Sequence, residues 1–262
     1  MSKSVSVCMS IFNQAHIMEL IMKGLLNNIS DNVKEIIINF DGCTDNSETV
    51  VKKALESTKI KTIFHHSPNV WEVRANNICF KSSSCDYILT LQDDMALTEK
   101  DFDKRMMMPF FEVDNLLGVT ARNAQDERIK EGWIDCYNVA GEDVDSPRTH
   151  LYIRDVIVRG PVMFDHKILK SLGYLNEDFA PIYGDDYDLS FRAWRKGYMV
   201  GAYRAGFYSP THWGKTRQHN AEQRNTWLST TRRNEQMLME RHNDLINGEK
   251  HSKDIPIKQE VA

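Results

Sequence analysis

The sequence predicts an α/β protein with a mixed, mostly parallel sheet flanked by helices, followed by a C-terminal helical extension. Strand-like and helix-like stretches alternate along residues 5–94, as they do in sheets built from right-handed crossover units. Residues 35–40 are apolar at consecutive positions, which is typical of strands covered on both faces. Beyond residue 213 the chain changes to an Arg-rich helical pattern.

The spacing of apolar residues defines the individual elements. Residues 5–12 alternate as a strand does, whereas residues 17–26 carry apolar side chains at helical spacing. The same criteria predict strands at 35–40, 61–65, 86–92, 199–203 and 206–208 and helices at 48–55, 73–82 and 185–196. Residues 124–158 show no pattern that assigns them to either class.

The composition is that of an ordinary globular protein. The 262 residues are 41% hydrophobic and 27% charged, with a formal net charge of -4, which suits one large domain or one domain plus an appendage. A slightly acidic chain argues against a dedicated nucleic-acid binder, which would carry a basic excess. Five cysteines without Cys-x-x-Cys spacing favour free thiols in a reducing compartment. Because there is neither an apolar signal core nor a membrane-length apolar run, we expect a cytoplasmic protein or one peripheral to a membrane.

Polar clusters follow three of the predicted strands. Asn13 follows the first, a polar turn at 41–47 the second, and Gln92-Asp93-Asp94 the fourth. Ligands of open α/β sheets bind outside the carboxyl ends of the strands, so these groups gather at a binding edge. The adjacent Asp93 and Asp94 suit a divalent cation that carries a phosphate, but aspartate is also favoured in turns and helix caps. There is no GxGxxG loop and no Walker motif, which disfavours dinucleotide dehydrogenases and P-loop NTPases.

The order of these motifs resembles that of family 2 glycosyltransferases of the GT-A fold. The matching segments are 5–13, 41–47, 74–77, 86–94, 160–164, 172–177 and 184–198. Each motif is weak alone, but the ordered set covers roughly residues 4–213. Three positions depart from the family pattern. Phe40 replaces the first Asp of an Asp-Asp pair, Gln92 the first Asp of Asp-x-Asp, and Asp185 a Glu.

The resemblance implies a nucleoside-diphosphate-sugar donor and a Mn²⁺ or Mg²⁺ ion at the end of the fourth strand. Asp94 is implied as a metal ligand with Asp93 beside it, and Gln92 can still offer a carbonyl oxygen or bind the donor ribose. Such an ion neutralises the negative charge that develops on the departing diphosphate. The residues implied in donor binding are Asn13, Asp41, Asp45, Arg74, Asn77, Gln92 and Asp93. For Arg74 and Asn77 the alternative is a salt-bridged helix face.

The same resemblance assigns the catalytic base to Asp186, with Asp185 orienting the acceptor or the base. An acceptor hydroxyl is a poor nucleophile until its proton is removed, so a carboxylate is needed across the sugar from the leaving group. In-line attack would invert the anomeric centre through an oxocarbenium-like transition state. The alternative is that acids in the first turn of a helix only complement its dipole.

A polar segment after the last predicted strand could close over the donor. In several relatives a His at the position of His212 contacts the metal or the pyrophosphate, although a lone His is more often structural. Lys215 and Arg217 could clamp the diphosphate from a mobile loop, or simply be solvated. We therefore include His212 among the candidate metal ligands, and Lys215 and Arg217 among the donor-binding residues.

Acceptor binding is predicted from two segments. Trp133 and Tyr137 are isolated aromatic residues in the unassigned stretch, where this family often carries acceptor loops and where a ring could stack on a sugar. Gly160 and Pro161 open the segment that resembles the family's acceptor-side loop. The acceptor class implied is a glycan, lipid-linked or protein-linked hydroxyl.

These observations predict a GT-A domain at 1–213, with a nucleotide-sugar half at 1–98 and an acceptor half at 99–213. A helical extension at 214–246 could bind an anionic membrane, contact a partner subunit or pack on its own domain. Residues 247–262 are polar, and we expect a disordered tail there. Two other functions stay open, namely a nucleotidyltransferase of similar fold and a non-catalytic nucleotide- or sugar-binding module. The sugar, the nucleotide, the acceptor and the oligomeric state are not fixed by the sequence.

Overall fold

The computed structural model describes residues 3–210, 212–214 and 221–258. The strands are β1 (Val5–Ile11), β2 (Val33–Asp41), β3 (Lys61–Ser67), β4 (Tyr87–Gln92), β5 (Ala96–Leu97), β6 (Leu116–Thr120), β7 (Asn123–Lys130), β8 (Trp133–Gly141), β9 (His150–Ile153), β10 (Val156–Ile157), β11 (Val162–Asp165), β12 (Met199–Ala202), β13 (Phe207–Tyr208) and β14 (Lys253–Pro256). The helices are α1 (Ala15–Asn28), α2 (Ser47–Leu55), α3 (Trp71–Ser82), α4 (Phe102–Glu112), α5 (His166–Ser171), α6 (Asp185–Arg195) and α7 (Ala221–Ile246). Each element predicted from apolar spacing is present, with its ends shifted by a few residues.

The main sheet has nine strands in the order β14-β9-β12-β6-β11-β4-β1-β2-β3. Strands β4, β1, β2 and β3 are parallel, and β12 is parallel to β6. Strands β11 and β9 run against their neighbours. The sheet is therefore mixed and mostly parallel, as the sequence predicts. The parallel half places the ends of β1, β2 and β4 at one edge, where the polar clusters lie.

Helices cover both faces of this sheet and divide the core in two. Along β1, Val7 and Met9 pack with apolar residues of α1, α2 and α4. Cys8, which points to the opposite face, packs with residues of α3, α5 and α6. This alternation along a single strand is why its residues are apolar at almost every position.

Helix α6 begins and ends where its sequence predicts. Gly184 precedes it with a φ of +85°, a conformation that costs a glycine little, and Gly197 follows it with a φ of +75°. Leu189 and Ala193 are buried on its inner face. This packing fixes the first turn of α6, with its three aspartates, beside the sheet edge.

Most of the segment that the sequence left unassigned forms a second, three-stranded antiparallel sheet in the order β10-β7-β8, while its strand β9 joins the main sheet. Helix α7 packs against this sheet and against α6, with Leu238 and Ile246 fully buried. The C-terminal helix therefore packs on its own domain. None of the described helices is long and apolar enough to cross a membrane, and contact of α7 with a membrane surface stays a prediction.

The expectation of a disordered tail is wrong for most of the segment. Lys253–Pro256 forms β14, which pairs with β9 at the edge of the main sheet. Lys250 is held by the carbonyl of Glu127 at 2.6 Å and by Asp155 at 2.5 Å. Polar composition alone suggested disorder, whereas an edge strand needs little apolar surface and tolerates Pro256.

Candidate active site

A cavity of about 90 Å³ lies at the carboxyl ends of β1, β2 and β4, beside the first turn of α3. The side chains in its wall that bear on function are Gln14, Asp41, Trp71, Glu72, Asn76, Gln92, Asp93 and Asp94. The cavity combines two aromatic residues, Phe12 and Trp71, with carboxylates and amides. Because carboxylates repel a bare phosphate, that mixture suits a polar ligand with a flat ring whose phosphates carry a divalent cation.

Asp41 shapes this cavity through the backbone of the facing segment. Its Oδ1 accepts hydrogen bonds from the Val70 N–H and the Ser67 hydroxyl, each at 2.8 Å, and its Oδ2 accepts one from the Trp71 N–H at 2.9 Å. Trp71 has a φ of +65°, which is uncommon for a residue with a side chain. Asp41 therefore fixes the strained entry into α3 and the position of the Trp71 ring.

Asn13 and Asp45, both predicted donor-binding residues, brace the loop between β2 and α2. The Oδ1 of Asn13 accepts the Thr44 N–H at 2.8 Å, and Asp45 accepts the N–H groups of Ala15 and Ser47. These bonds join the segments after β1 and β2. Neither residue lines the cavity itself, which we call the donor cavity because the sequence predicts that the sugar-nucleotide donor binds there.

Asp93 and Asp94 line the cavity together with Glu72 and Asp41, so four carboxylates face one small space. Burial, with the nearby Asp94 and Glu72 carboxylates, raises the pKa of Asp93 to about 7, against the opposing hydrogen bond from the Phe12 N–H. A divalent cation suits such an excess of negative charge.

Among the residues described, no three His, Cys, Asp or Glu side chains converge as a complete ligand set. Magnesium sites in phosphate chemistry commonly use one or two carboxylates together with substrate phosphates. Asp93 and Asp94 fit that pattern, because they are adjacent carboxylates at the mouth of a strand.

A second cavity, of about 30 Å³, adjoins the first and shares Asn76 and Gln92 with it. Its polar wall contains Asp185 and Asp186, at the start of α6. The acids that follow β4 and the acids that begin α6 therefore lie on the same side of the molecule, in two cavities that share part of their walls. The sequence predicted this meeting of distant segments.

A polar chain links the two groups of acids. Gln92 donates a hydrogen bond of 2.8 Å to Glu72, and Arg159 is ion-paired with both Glu72 and Asp185. Sequence reasoning missed Glu72, Arg159 and Asn76. The only sequence feature that pointed to Arg159 was its position next to the predicted loop at Gly160. Its ion-pair partners, Glu72 and Asp185, lie far away in sequence.

Asp185 and Asp186 differ in their surroundings. Asp185 is fully buried, and its Oδ1 has no hydrogen-bond partner. Asp186 is half-buried and accepts the N–H groups of Arg159 and Tyr187, at 3.2 and 3.0 Å. Burial raises the pKa of both carboxyls, while the Arg159 guanidinium opposes the rise. A carboxylate with a raised pKa is a better proton acceptor near neutral pH.

Arg74 and Asn77, predicted on the donor side, face away from the donor cavity. Arg74 is half-exposed and lies 3.6 Å from Glu177. Asn77 is buried and bonds both the carbonyl and the N–H of Leu175, at 2.9 and 3.1 Å. Asn77 thus joins α3 to the second half of the chain. Of these two adjacent asparagines, Asn76 is the one that lines both cavities.

The predicted acceptor residues divide into two groups. Gly160 lines the second cavity, and Pro161 is buried next to it, with its carbonyl accepting the Ala121 N–H at 2.8 Å. Trp133 and Tyr137 lie on β8, outside the residues that line either cavity. Trp133 is exposed at the tip of the β7–β8 hairpin, and the Tyr137 ring lies under the Arg128 guanidinium at 4.9 Å.

The segment that contains His212 is tied to the donor cavity. Gln14, which lines that cavity, donates a hydrogen bond of 3.0 Å to the Trp213 carbonyl. Trp213 also packs edge-on against Tyr208 of β13, and β13 pairs with β5 just after Asp94. His212 itself is exposed. Lys215 and Arg217 lie outside the described residues.

The sheet and its acidic edge define the GT-A fold, which several solved structures share. GalNAc-T7, solved with UDP, GalNAc and Mn²⁺, aligns with a TM-score of 0.69 and 10% identity over 91% of this chain and 48% of that one. The mannosyltransferase PcManGT from Pyrobaculum calidifontis, in complex with GDP-Man and Mn²⁺, aligns with a TM-score of 0.58 and 13% identity over 77% of this chain and 57% of that one. TarS 1-349 of S. aureus, in complex with UDP, aligns with a TM-score of 0.56 and 11% identity over 79% of this chain and 60% of that one.

Residues 6–159 match the profile of Glycosyl transferase family 2, and the chain belongs to this family. Among curated proteins, none matches the chain by sequence. The chain spans between 48% and 60% of the length of the solved structures named above. At these identities the structural likeness shows the fold, and the family membership rests on the sequence profile.

Proposed function

We propose that the protein transfers a sugar from a nucleoside diphosphate to a hydroxyl group, with metal assistance and inversion at the anomeric carbon. The single observation that carries this proposal is the pair of adjoining cavities, one walled by Asp93 and Asp94 and the other by Asp185 and Asp186. Membership of glycosyl transferase family 2 supports it. A donor needs charge compensation at its diphosphate, which a cation held by Asp93 and Asp94 would supply. It also needs a base near its sugar, which the acids of the second cavity would supply.

Asp94, with Asp93 beside it, would hold a Mn²⁺ or Mg²⁺ ion, and His212 is a further candidate ligand. When bound, such an ion supplies compensation for the charge that develops on the departing diphosphate. Solved relatives of the same fold carry Mn²⁺ with GDP-Man or with UDP and GalNAc. The Trp71 ring and the rigid segment fixed by Asp41 would bind the nucleoside.

Asp186 would act as the base. The acceptor hydroxyl loses its proton to Asp186 while its oxygen forms a bond to the anomeric carbon. The bond from that carbon to the diphosphate oxygen breaks in the same step, and its electron pair leaves with the diphosphate. Asp185 would orient the acceptor, because its buried Oδ1 has no hydrogen-bond partner while its other oxygen pairs with Arg159.

The acceptor would enter over Gly160 and Pro161, because Gly160 lines the cavity that holds both aspartates. The exposed Trp133 ring at the hairpin tip could contact a more distant part of a long acceptor, and Tyr137 lies on the same hairpin. A glycan, lipid-linked or protein-linked hydroxyl is the acceptor class proposed.

A thermal-shift panel of UDP, GDP, CDP and ADP, each with Mn²⁺, Mg²⁺ or EDTA, tests the donor side directly. A ligand at 100 times its Kd stabilises the folded state by about 2.7 kcal/mol, which is a readily measured shift. We expect one base to be preferred and the shift to need the metal. Asp94→Asn should lose the metal-dependent part, while the exposed Asp114→Asn should keep it. Equal shifts with EDTA and with Mn²⁺ would contradict the metal assignment.

A second candidate is a catalytically silent nucleotide- or sugar-binding module, favoured by Gln92 at the position of the first acidic residue. Donor hydrolysis separates the two functions without a known acceptor, because water can replace the hydroxyl. Incubation with UDP-GalNAc, UDP-glucose or GDP-mannose should release the nucleoside diphosphate if the protein is an enzyme. Metal-dependent nucleotide binding with no release from any donor would favour the silent module.

A further inference from the structure

Helix α7 makes a concentrated set of buried hydrogen bonds to the loop that precedes α6. Asn234, which is fully buried, donates from Nδ2 to the carbonyl oxygens of Phe179, Ile182 and Tyr183, at 2.7, 3.0 and 2.7 Å. These carbonyls belong to residues 179–183, and the loop continues through Gly184 directly into Asp185 and Asp186. One side chain of α7 therefore contacts most of the segment that delivers the two acids.

The backbone of this loop needs external support. Tyr183 and Gly184 have φ values of +81° and +85°, and the first is an uncommon conformation for a residue with a side chain. Carbonyls in such a turn cannot accept hydrogen bonds from backbone N–H groups as they would in a helix, and buried carbonyls need partners. Gly184 also lies tightly under α7, because a Cβ there would come within 3.1 Å of Leu238 Cδ1.

The orientation of the Asn234 amide is itself fixed. Arg233 donates to its Oδ1 from Nε and from a terminal nitrogen, at 2.9 and 2.8 Å, so the amide nitrogen must face the loop. The same guanidinium donates to the Ala180 carbonyl at 2.5 Å. Arg233 and Asn234 together form what we call the α7 clamp on residues 179–183.

A second tie runs from α7 to the body of α6. His242 contacts Asp188 at 3.0 Å, and both are buried. Asp188 also binds Arg192, whose guanidinium donates to the carbonyls of Leu172 and Tyr174. Helix α7 thus holds α6 from two places, before its first turn and within it.

We propose that Asn234 is a positioning residue for the transfer reaction, and that the α7 clamp sets where Asp185 and Asp186 stand relative to Arg159 and the donor cavity. This inference rests on the proposed function, in which Asp186 is the base. Asn234 touches neither cavity, and it acts through the backbone that leads into α6. The donor cavity is built from β1, β2, β4 and α3. The clamped loop reaches it through the Val73 N–H of α3, which donates to the Pro181 carbonyl at 3.3 Å. We therefore expect nucleotide binding to depend on the clamp much less than turnover does.

Asn234→Asp is the most direct test, because it keeps the shape of the side chain and replaces the donor by an acceptor that faces three carbonyls. A displacement of about 1 Å in a reacting group can cost about 100-fold in rate. We expect kcat for donor turnover to fall by roughly that factor, while the Kd for UDP or GDP with Mn²⁺ changes less than threefold. A general loss of structure would weaken nucleotide binding as well as turnover, so a fall in kcat with an almost unchanged Kd indicates a positioning role.

Ile246→Ala is the matched control, because Ile246 is fully buried on the same helix but makes none of the clamp's hydrogen bonds. It should lower Tm at least as much as Asn234→Asp and leave kcat close to that of the wild type. Arg233→Gln, compared with its exposed neighbour in Arg232→Gln, gives a milder perturbation should Asn234→Asp fail to fold. We expect a smaller fall in kcat for Arg233→Gln and none for Arg232→Gln.

Amide hydrogen exchange measures the positioning without any activity. Exchange of residues 179–187 should accelerate in Asn234→Asp and in Arg233→Gln, and not in Ile246→Ala. The inference is overturned if exchange there is unchanged in both clamp variants, or if Ile246→Ala loses as much turnover at an equal fall in Tm. Faster exchange in the clamp variants together with full turnover also overturns it. If the wild-type protein itself shows no turnover, the proposed function is contradicted. In that case the exchange rates of residues 179–187 alone test whether the clamp holds the loop.

Discussion

Replacing Arg159 by Met tests the electrostatic link between the two cavities. Arg159 is the cation that pairs with Glu72 and Asp185 and contacts Asp186 through its N–H. Removing one partner of a buried ion pair typically costs about 3–5 kcal/mol, because a charge is left uncompensated. We expect Arg159→Met to lose stability in that range at pH 8.

The loss should shrink at lower pH, and the sign follows from the pKa of Asp185. Burial raises that pKa to about 7 even with Arg159 present, so the wild-type carboxyl releases its proton near pH 7. Without Arg159 the pKa of Asp185 in the folded state is higher still. The folded variant must therefore keep the Asp185 carboxyl protonated or bury an uncompensated negative charge. Above pH 7 the difference in stability therefore grows by up to about 1.4 kcal/mol per pH unit. At pH 6 the Asp185 carboxyl is protonated in both proteins. We therefore expect Arg159→Met to lower the free energy of unfolding by about 2 kcal/mol at that pH, the scale of a hydrogen bond to a charged group.

Urea unfolding at pH 6 and pH 8 measures this difference, with Arg128→Met as the control. Arg128 pairs with Asp135 at 2.7 Å on the exposed β7–β8 hairpin, and such surface pairs are worth at most about 1 kcal/mol. The reasoning is refuted if Arg159→Met loses no more stability than Arg128→Met. An equal loss at both pH values would also refute it.

Three further changes have expected outcomes. Burial raises the pKa of Glu127 from 4.5 to about 8, so this carboxyl destabilises the folded state increasingly as the pH rises between those two values. Glu127→Gln should therefore raise Tm at pH 8 but not at pH 4.5, as measured by a fluorimetric thermal scan. Lys250→Met removes the bonds to Asp155 and to the Glu127 carbonyl, and urea unfolding should show a loss of about 2–3 kcal/mol. Gly42 has a φ of +66°, and a Cβ there would lie 2.7 Å from the Asn69 nitrogen, so Gly42→Ala should weaken UDP or GDP binding in calorimetry.

Local patterns predicted the parallel half of the fold well. The strands of this half are apolar over most of their length, and the polar residues that end them mark one edge of the sheet. That logic located Asp41, Asp93 and Asp94, because each follows directly from the end of a strand. It also placed Asp185 and Asp186 in the first turn of a helix stopped by Gly197.

Contacts between distant segments were beyond local patterns. Asn76 and Asn77 are adjacent on α3, and only the packing of that helix determines that Asn76 lines the cavities while Asn77 bonds Leu175. The pairs of Arg159 with Glu72 and Asp185 depend on three segments meeting. Asn234 looked like one more polar residue in an Arg-rich helix, although its amide holds a buried loop.

The short strands of the second half were hidden for a different reason. Strands β9 and β10 have four and two residues, too few to establish a period. Strand β14 is mostly polar, and its backbone pairs with β9 at the edge of the main sheet. Such strands are stabilised by backbone pairing with neighbours, which apolar spacing does not record.

The central claim is that a donor held at the end of β4 meets a base at the start of α6. Asp186→Asn tests it most directly, with nucleotide binding and donor turnover measured on the same preparation. We expect UDP or GDP to bind with Mn²⁺ at nearly the wild-type Kd, while turnover falls by at least about 100-fold, the low end of the contribution of a general base. Turnover near the wild-type rate in Asp186→Asn would contradict it.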